Sequence, residues 1–149
     1  MSNNNAEHVN LWSLTGEFKN IRLDEKNRLN IPAQHRAVLK PLFNSKSLTF
    51  LISKAPKLQA LHITPKTSNV EEFLSEHSDI CYKYDTRGMD KNSRITIDVK
   101  LLSQLETNEY TLIGNGHRLE LWNADAWEQE KQQREKIYTA KADGAEYVI

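Results

Sequence analysis

Two stretches of the chain set an arginine four residues after an aspartate: Asp24 to Arg28 in "LDEKNR" and Asp90 to Arg94 in "MDKNSR". A carboxylate and a guanidinium at this spacing support two kinds of chemistry. The aspartate can accept backbone N–H groups of a tight turn and pair with the arginine, a staple worth ~0–1 kcal/mol when exposed. The arginine's planar fork can also bond bidentately to phosphate oxygens or to a guanine edge. The two readings are compatible, because Asp24 and Asp90 would then orient the contacting arginines. The basic residues around the two stretches are Arg22, Lys26, Arg36, Arg87 and Lys91. Singly each is an ordinary solvated side chain. As a set around two turns they form a patch that could follow a phosphate backbone, while a few base contacts specify sequence.

Other chemistry finds less support. Asp24 and Asp90 could be read as the paired carboxylates of a hydrolase, but no nucleophile or pocket residue accompanies them, so no catalytic residue is assigned. "GNGH", from Gly114 to His117, leads into a further strand rather than a helix, so it reads as a hairpin and not as a phosphate loop. His8, His35, His62, His77 and His117 lack metal-ligand spacing, and Cys81 is the only cysteine. Neither a metal nor a cofactor is expected. Trp122 and Trp127 straddle a strand-to-helix junction and read as core.

The elements that would position these residues repeat. Ile21 and Leu23 alternate with Arg22, and Leu29 and Ile31 with Asn30, the period-two mark of half-buried strands. "DEKN" between them has turn composition. Pro32 ends the second strand and opens a short helix, "AQHRAVLK", with Ala33, Ala37 and Val38 on one side. In the second copy Asp98 stands where Pro32 stood, as an N-cap, and "VKLLSQL" follows with Leu101 and Leu105 on one face. Leu39 and Leu105 are 66 positions apart, as are Phe18 and Tyr84. "TFLISKAPKLQALHI" and "YTLIGNGHRLELWN" each read as strand, turn, strand, with Asn115-Gly116 a strong hairpin signal. A helix follows each: "NVEEFLSEHS", with Val70, Phe73 and Leu74 at helical spacing, and a polar one opened by Asn123 and Asp125. That last helix has no apolar residue from Glu128 to Lys136, so it is expected to project from the core. A half with one apolar face cannot satisfy itself, and two halves can close on each other into a barrel without open edges.

The 149 residues therefore divide into a disordered N-terminal extension at 1–15, a first half at 16–78, a second at 79–127, and a polar C-terminal helix and tail at 128–149. Residues 16–127 form one intertwined domain in this reading. The chain carries 20 basic and 20 acidic residues, a neutral balance that does not mark a nucleic-acid binder by itself. From Glu17 to Lys40, however, six basic residues face three acidic ones. No apolar run approaches the ~20 residues that span a bilayer, and the start lacks the pattern of a signal peptide, so the expected location is the cytoplasm.

"LDEKNRLNIP", the looser "MDKNSRITID" and the ending "LIGNGHRLELWNADAW" resemble the MraZ family, within the AbrB-like class of DNA-binding proteins, over roughly Gly16 to Trp127. The resemblance implies a mainly β fold with short helices (α+β), a pseudo-twofold, swapped-hairpin AbrB-like barrel made from two tandem halves. It implies a transcriptional regulator that represses its own division and cell-wall gene cluster by binding short direct repeats in promoter DNA. It also implies a nucleoid location and a ring of identical chains, to which Phe73, Leu74 and the apolar end "EYVI" would contribute. Arg28 is then the main DNA-contacting residue and Arg94 its weaker counterpart, with Lys26, Arg22, Arg36, Lys91 and Arg87 around them. The alternative is an AbrB-like antitoxin or protein-interaction module that binds no specific DNA sequence. Four positions depart from the family pattern. Its glycine before each arginine is Asn27 and Ser93 here, and Ser93 is expected to reshape the second turn. The second half also replaces the family's proline and following arginine with Asp98 and Leu102, whereas the first keeps Arg36.

Overall fold

The computed structural model describes residues 14–40 and 48–143. Most of the expected N-terminal extension and the "EYVI" end lie outside the described residues. The order of elements is β1 (Leu14–Ile21), β2 (Arg28–Asn30), α1 (Ala33–Leu39), β3 (Thr49–Lys54), β4 (Ala60–Pro65), α2 (Ser68–Glu76), a 3-10 helix (Ser78–Lys83), β5 (Asp85–Gly88), β6 (Arg94–Thr96), α3 (Val99–Ser103), β7 (Tyr110–Gly116), β8 (Leu119–Asn123) and α4 (Ala124–Asp143). The fold is mainly antiparallel sheet with short helices, as the alternation of apolar residues predicts.

Six strands form one sheet in the order β1-β7-β8-β4-β3-β5, and β2 pairs with β6 in a separate ribbon. The order is a palindrome under exchange of the halves. β1 of the first half pairs with β7 of the second, and β5 of the second pairs with β3 of the first. Each half thus lends its opening strand to the other, and β4 pairs with β8 at the centre. The strand pairing does not close into a barrel: β1 and β5 are the sheet's edges among the described residues. Closure is made by side chains instead. Leu29 and Ile95 of the ribbon share one buried cluster with Phe50, Ile52, Leu61, Ile63, Leu112 and Leu121 of the sheet. Among the described residues the three-residue strands β2 and β6 pair with each other, and the single Met89–Ile95 bridge is the further strand contact of the ribbon.

Gly114 marks a close crossing of β1 over β7. A Cβ there would sit 2.5 Å from the backbone nitrogen of Thr15. The second hairpin turns one residue later than the Asn-Gly signal suggests. Asn115 N donates to Arg118 O at 2.9 Å, which leaves Gly116 and His117 as the central pair. Gly116 takes the positive φ of 81° that the first central residue of such a turn needs.

The other face of the sheet carries a smaller cluster, in which Trp127 and Ala126 of α4 pack on Ala60, Ile113 and Trp122. Asn123 Oδ1 caps α4 by accepting from the backbone of Asp125 and Ala126. Contrary to expectation, α4 stays docked well past Trp127. Lys131 Nζ lies 2.9 Å from Glu17 of β1, Lys19 pairs with Glu128, and Arg134 lies over both Trp122 and Trp127. Only beyond Arg134 does the helix turn outward, with Ile137 and Tyr138 exposed. Helix α1 also differs from its expected face: His35 and Leu39 are buried, and Ala33 and Ala37 are exposed. Leu39 and its counterpart Leu105 are both fully buried. Helix α2 has the expected amphipathic spacing, but Phe73 remains 40% exposed.

Candidate nucleic-acid interface

The ribbon is where the two Asp-x-x-x-Arg stretches meet. Arg28 pairs across with Thr96, Leu29 with Ile95, and Asn30 with Arg94. Leu29 and Ile95 point into the core and are fully buried. Period-two geometry then sends Arg28, Asn30, Arg94 and Thr96 to the outer face. The two arginines stand on a diagonal of the ribbon, a relation that places such residues roughly 7–8 Å apart. The turns that precede β2 and β6 lie at opposite ends of the ribbon, so Lys26 flanks one end and Lys91 the other.

The two turns are built alike. Asp24 Oδ1 accepts from the backbone N–H of Lys26 and of Arg28, each at 2.9 Å, and its Oδ2 accepts from Arg28 Nε at 2.6 Å. Asp90 Oδ1 accepts from the backbone of Asn92 at 2.8 Å and Arg94 at 2.9 Å, and its Oδ2 accepts from Arg94 Nε at 3.1 Å. Two backbone bonds across each turn complete the frame, Asp24 N to Arg28 O and Asn27 N to Asp24 O in the first, Asp90 N to Arg94 O and Ser93 N to Asp90 O in the second. Asn27 and Ser93 hold left-handed φ values of 59° and 62°. The second turn is therefore not reshaped by its serine. Its aspartate and cross-turn bonds over-determine the backbone and impose a conformation that costs a non-glycine residue roughly 1–2 kcal/mol.

Backbone hydrogen bonds from Arg28 and Arg94, aided by those from Lys26 and Asn92 and by the guanidinium groups, hold Asp24 and Asp90 below the ordinary carboxylate range despite some desolvation. Both turns are accordingly charged at neutral pH. In each pair the aspartate engages Nε alone, and the terminal nitrogens of Arg28 and Arg94 make no hydrogen bond to a described residue. The fork is fixed from behind and its outer edge remains available.

The other predicted basic residues fall into two groups. Lys26, Lys91 and Arg36 are exposed and form no ion pair with a described residue. Arg36 lies on α1, which packs against β1, and its counterpart Leu102 is buried. Arg22 pairs with Glu109 at 3.3 Å and Arg87 with Asp85 at 2.8 Å, so both carry a local acidic partner. In the second half Asp98 caps α3 by accepting from Lys100 N at 3.0 Å, as expected. Asn30 and Thr96 were not singled out in the sequence, although the alternation that buries Leu29 and Ile31 already sends Asn30 outward beside Arg28. Among the described residues, no group of three or more His, Cys, Asp or Glu side chains could hold a metal ion. No helix there is long and apolar enough to cross a membrane.

The chain is similar in sequence to proteins of one named family. The family model described as "MraZ protein, putative antitoxin-like" matches residues 85–146. The chain is 32% identical over 131 residues to "Transcriptional regulator MraZ" of Kocuria rhizophila, covering 79% of this chain and 87% of that protein. It is 30% identical over 148 residues to the protein of the same name from Chromobacterium violaceum, covering 91% of this chain and 97% of the relative. A third, from Thiobacillus denitrificans, is 28% identical over 127 residues. With two relatives at this level of identity along most of its length, the chain belongs to the MraZ family.

Proposed function

We propose that the chain is a sequence-specific DNA-binding transcriptional regulator, not an enzyme, and that the outer face of the β2–β6 ribbon enters the major groove. One observation carries the proposal: Arg28 and Arg94, each held through Nε by its own aspartate, stand on one ribbon face with their terminal nitrogens unengaged among the described residues. The major groove, about 12 Å wide, admits a two-stranded ribbon, and a guanine edge offers the two acceptors that an arginine fork fits. Lys26 and Lys91 at the ribbon's ends would meet phosphates, with Arg36 at the flank. Arg22 and Arg87, paired with carboxylates, contribute less. Asp24 and Asp90 orient and do not contact.

A single ribbon makes few contacts, so chains linked in a ring on short direct repeats would gain affinity through avidity. Phe73, Tyr82, Ile137 and Tyr138 are large apolar residues on the surface and supply area for such self-association. The names of the relatives favour control of transcription, and the resemblance favours repression of the chain's own division and cell-wall cluster, with the protein in the cytoplasm at the nucleoid. The test measures affinity for the promoter repeats and for a random duplex at two salt concentrations. Arg28→Ala is expected to weaken repeat binding by ~1–3 kcal/mol per site and to relax sequence preference. Lys26→Ala should weaken both duplexes alike and lower the salt slope by about one. A folded Arg28→Ala that binds the repeats as the parent does would reduce the Asp-x-x-x-Arg stretch to a turn staple.

A further inference from the structure

We infer that Asn30 reads an adenine beside the guanine contacts of the two arginines, and so distinguishes one end of the bound site from the other. The inference rests on the DNA-binding reading above and names a base contact within it. Asn30 is exposed on the outer face of the ribbon, directly across from Arg94 and two residues along the same strand from Arg28. Its side-chain amide makes no hydrogen bond to a described residue. Four other asparagines have visible structural tasks: Asn20 and Asn27 occupy left-handed backbone, Asn115 donates to Glu120, and Asn123 caps α4, while Asn92 and Asn108 lie in turns or loops. Asn30 has none of these, and it sits in a strand, where asparagine is disfavoured. An outward, unengaged amide between two oriented arginines is the group that can bond an adenine's N6 and N7 together.

The partner position makes the contact one-sided. The near-twofold axis of the ribbon passes through the Leu29–Ile95 pair and exchanges Arg28 with Arg94 and Asn30 with Thr96. The arginines are equivalent under this exchange, while the two other outer residues are not. Threonine offers a hydroxyl and a methyl but no bidentate pair. Two like contacts and one unlike contact describe a short site that has a direction.

The experiment selects bound duplexes from a randomised library with the full-length parent, with Asn30→Ala and with Asn30→Thr, each first shown to melt as the parent does. The expected result is loss of one adenine preference, on the order of ten- to a hundredfold at that position, in both variants. The guanine positions lost in Arg28→Ala should persist in them. An unchanged pattern in Asn30→Ala would overturn the inference while leaving DNA recognition by the arginines intact. A parent that selects no sequence at all would overturn both, through failure of the functional reading itself.

Discussion

Glu120 is fully buried, and replacing it with glutamine tests what its charge contributes to the β7–β8 hairpin. Its Oε2 accepts from Asn115 Nδ2 at 2.8 Å and from Arg118 Nε at 3.0 Å, and its Oε1 accepts from Trp122 Nε1 at 2.9 Å. His62 Nε2 lies 3.7 Å away and Arg134 of α4 3.9 Å. Burial raises the pKa of this carboxyl, but the bonds from Trp122, Asn115 and Arg118 outweigh it and leave the group below its ordinary range. Donors surround it on both oxygens, so only a carboxylate satisfies them all. A glutamine amide keeps its oxygen toward Asn115 and Arg118, or toward Trp122, and turns an N–H at the rest. One buried donor without a partner costs ~1–3 kcal/mol, and loss of a buried pair's charge ~3–5 kcal/mol in a dry site. Arg118 keeps 27% of its side chain exposed, so water recovers part of that second cost. We expect a net loss of roughly 2–4 kcal/mol, or about 5–15 °C in melting temperature for a chain of this size. The assay is thermal melting by circular dichroism at neutral pH, with near-ultraviolet signal from Trp122 and Trp127 as a second probe. The pH sign follows from the lowered pKa: the parent's advantage is complete above the unfolded value of about 4.3 and falls as pH drops through the folded one. A glutamine variant melting within about 2 °C of the parent would show that the charge on Glu120 is not what satisfies the donors of Asn115, Arg118 and Trp122.

Four further outcomes are expected. Ser93→Gly relieves a left-handed serine and should raise stability by about 1 kcal/mol, with a smaller gain for Asn27→Gly, as read from melting curves. His35 is fully buried with both ring nitrogens unpartnered among the described residues, and burial lowers its pKa. His35→Leu should therefore stabilise the fold, and more so below the unfolded histidine value of about 6.5 than at pH 8, where the parent is not penalised for keeping the ring neutral; a gain independent of pH would contradict this. Asp24 and Asp90 are held below the ordinary aspartate range, so DNA binding should survive acidification through that range and fail only at lower pH, where their turns lose charge; loss of binding within the ordinary range, read from operator affinity against pH, would contradict this. Residues 1–78 and 79–149, expressed apart, should each fail to fold as a cooperative monomer, because each lacks the strand that the other half lends it.

Much of this arrangement was readable in the sequence because it obeys fixed periods. The alternation around Arg28 and Arg94 buries Leu29 and Ile95 and turns the arginines out. The capping roles of Asp98 and Asn123 follow from residue type next to a helical run. What escaped has physical reasons. In the seven-residue helix α1 the alanines carry too little apolar area to fix a face, and the buried position went to His35, a polar residue by type. Helix α4 looked unattached because its anchors are cations. Lys131 reaches Glu17, and Arg134 covers two tryptophans, contacts that no apolar count registers. Barrel closure failed as a hydrogen-bond prediction because apolar periodicity reports which side chains face the core, not which strand edges meet.

The 66-residue correspondence separates what folding requires from what a target could read. It holds for Asp24 and Asp90, Arg28 and Arg94, Leu29 and Ile95, and Leu39 and Leu105, which build the turns, the ribbon and the core beneath it. It holds even in backbone geometry at Asn27 and Ser93, where the residues differ but the left-handed φ does not. It fails at several other outer positions: Lys26 corresponds to Asn92, Asn30 corresponds to Thr96, and exposed Arg36 is matched by buried Leu102. A palindromic duplex presents the same groups to both halves of a twofold reader, and for it these differences would weaken one side of the contact. A short site with a direction presents different groups to each half, and repeats of such a site in tandem keep every bound chain facing the same way. If the ribbon reads DNA as proposed, its symmetric arginines and unequal Asn30 and Thr96 would suit the second kind of target better than the first.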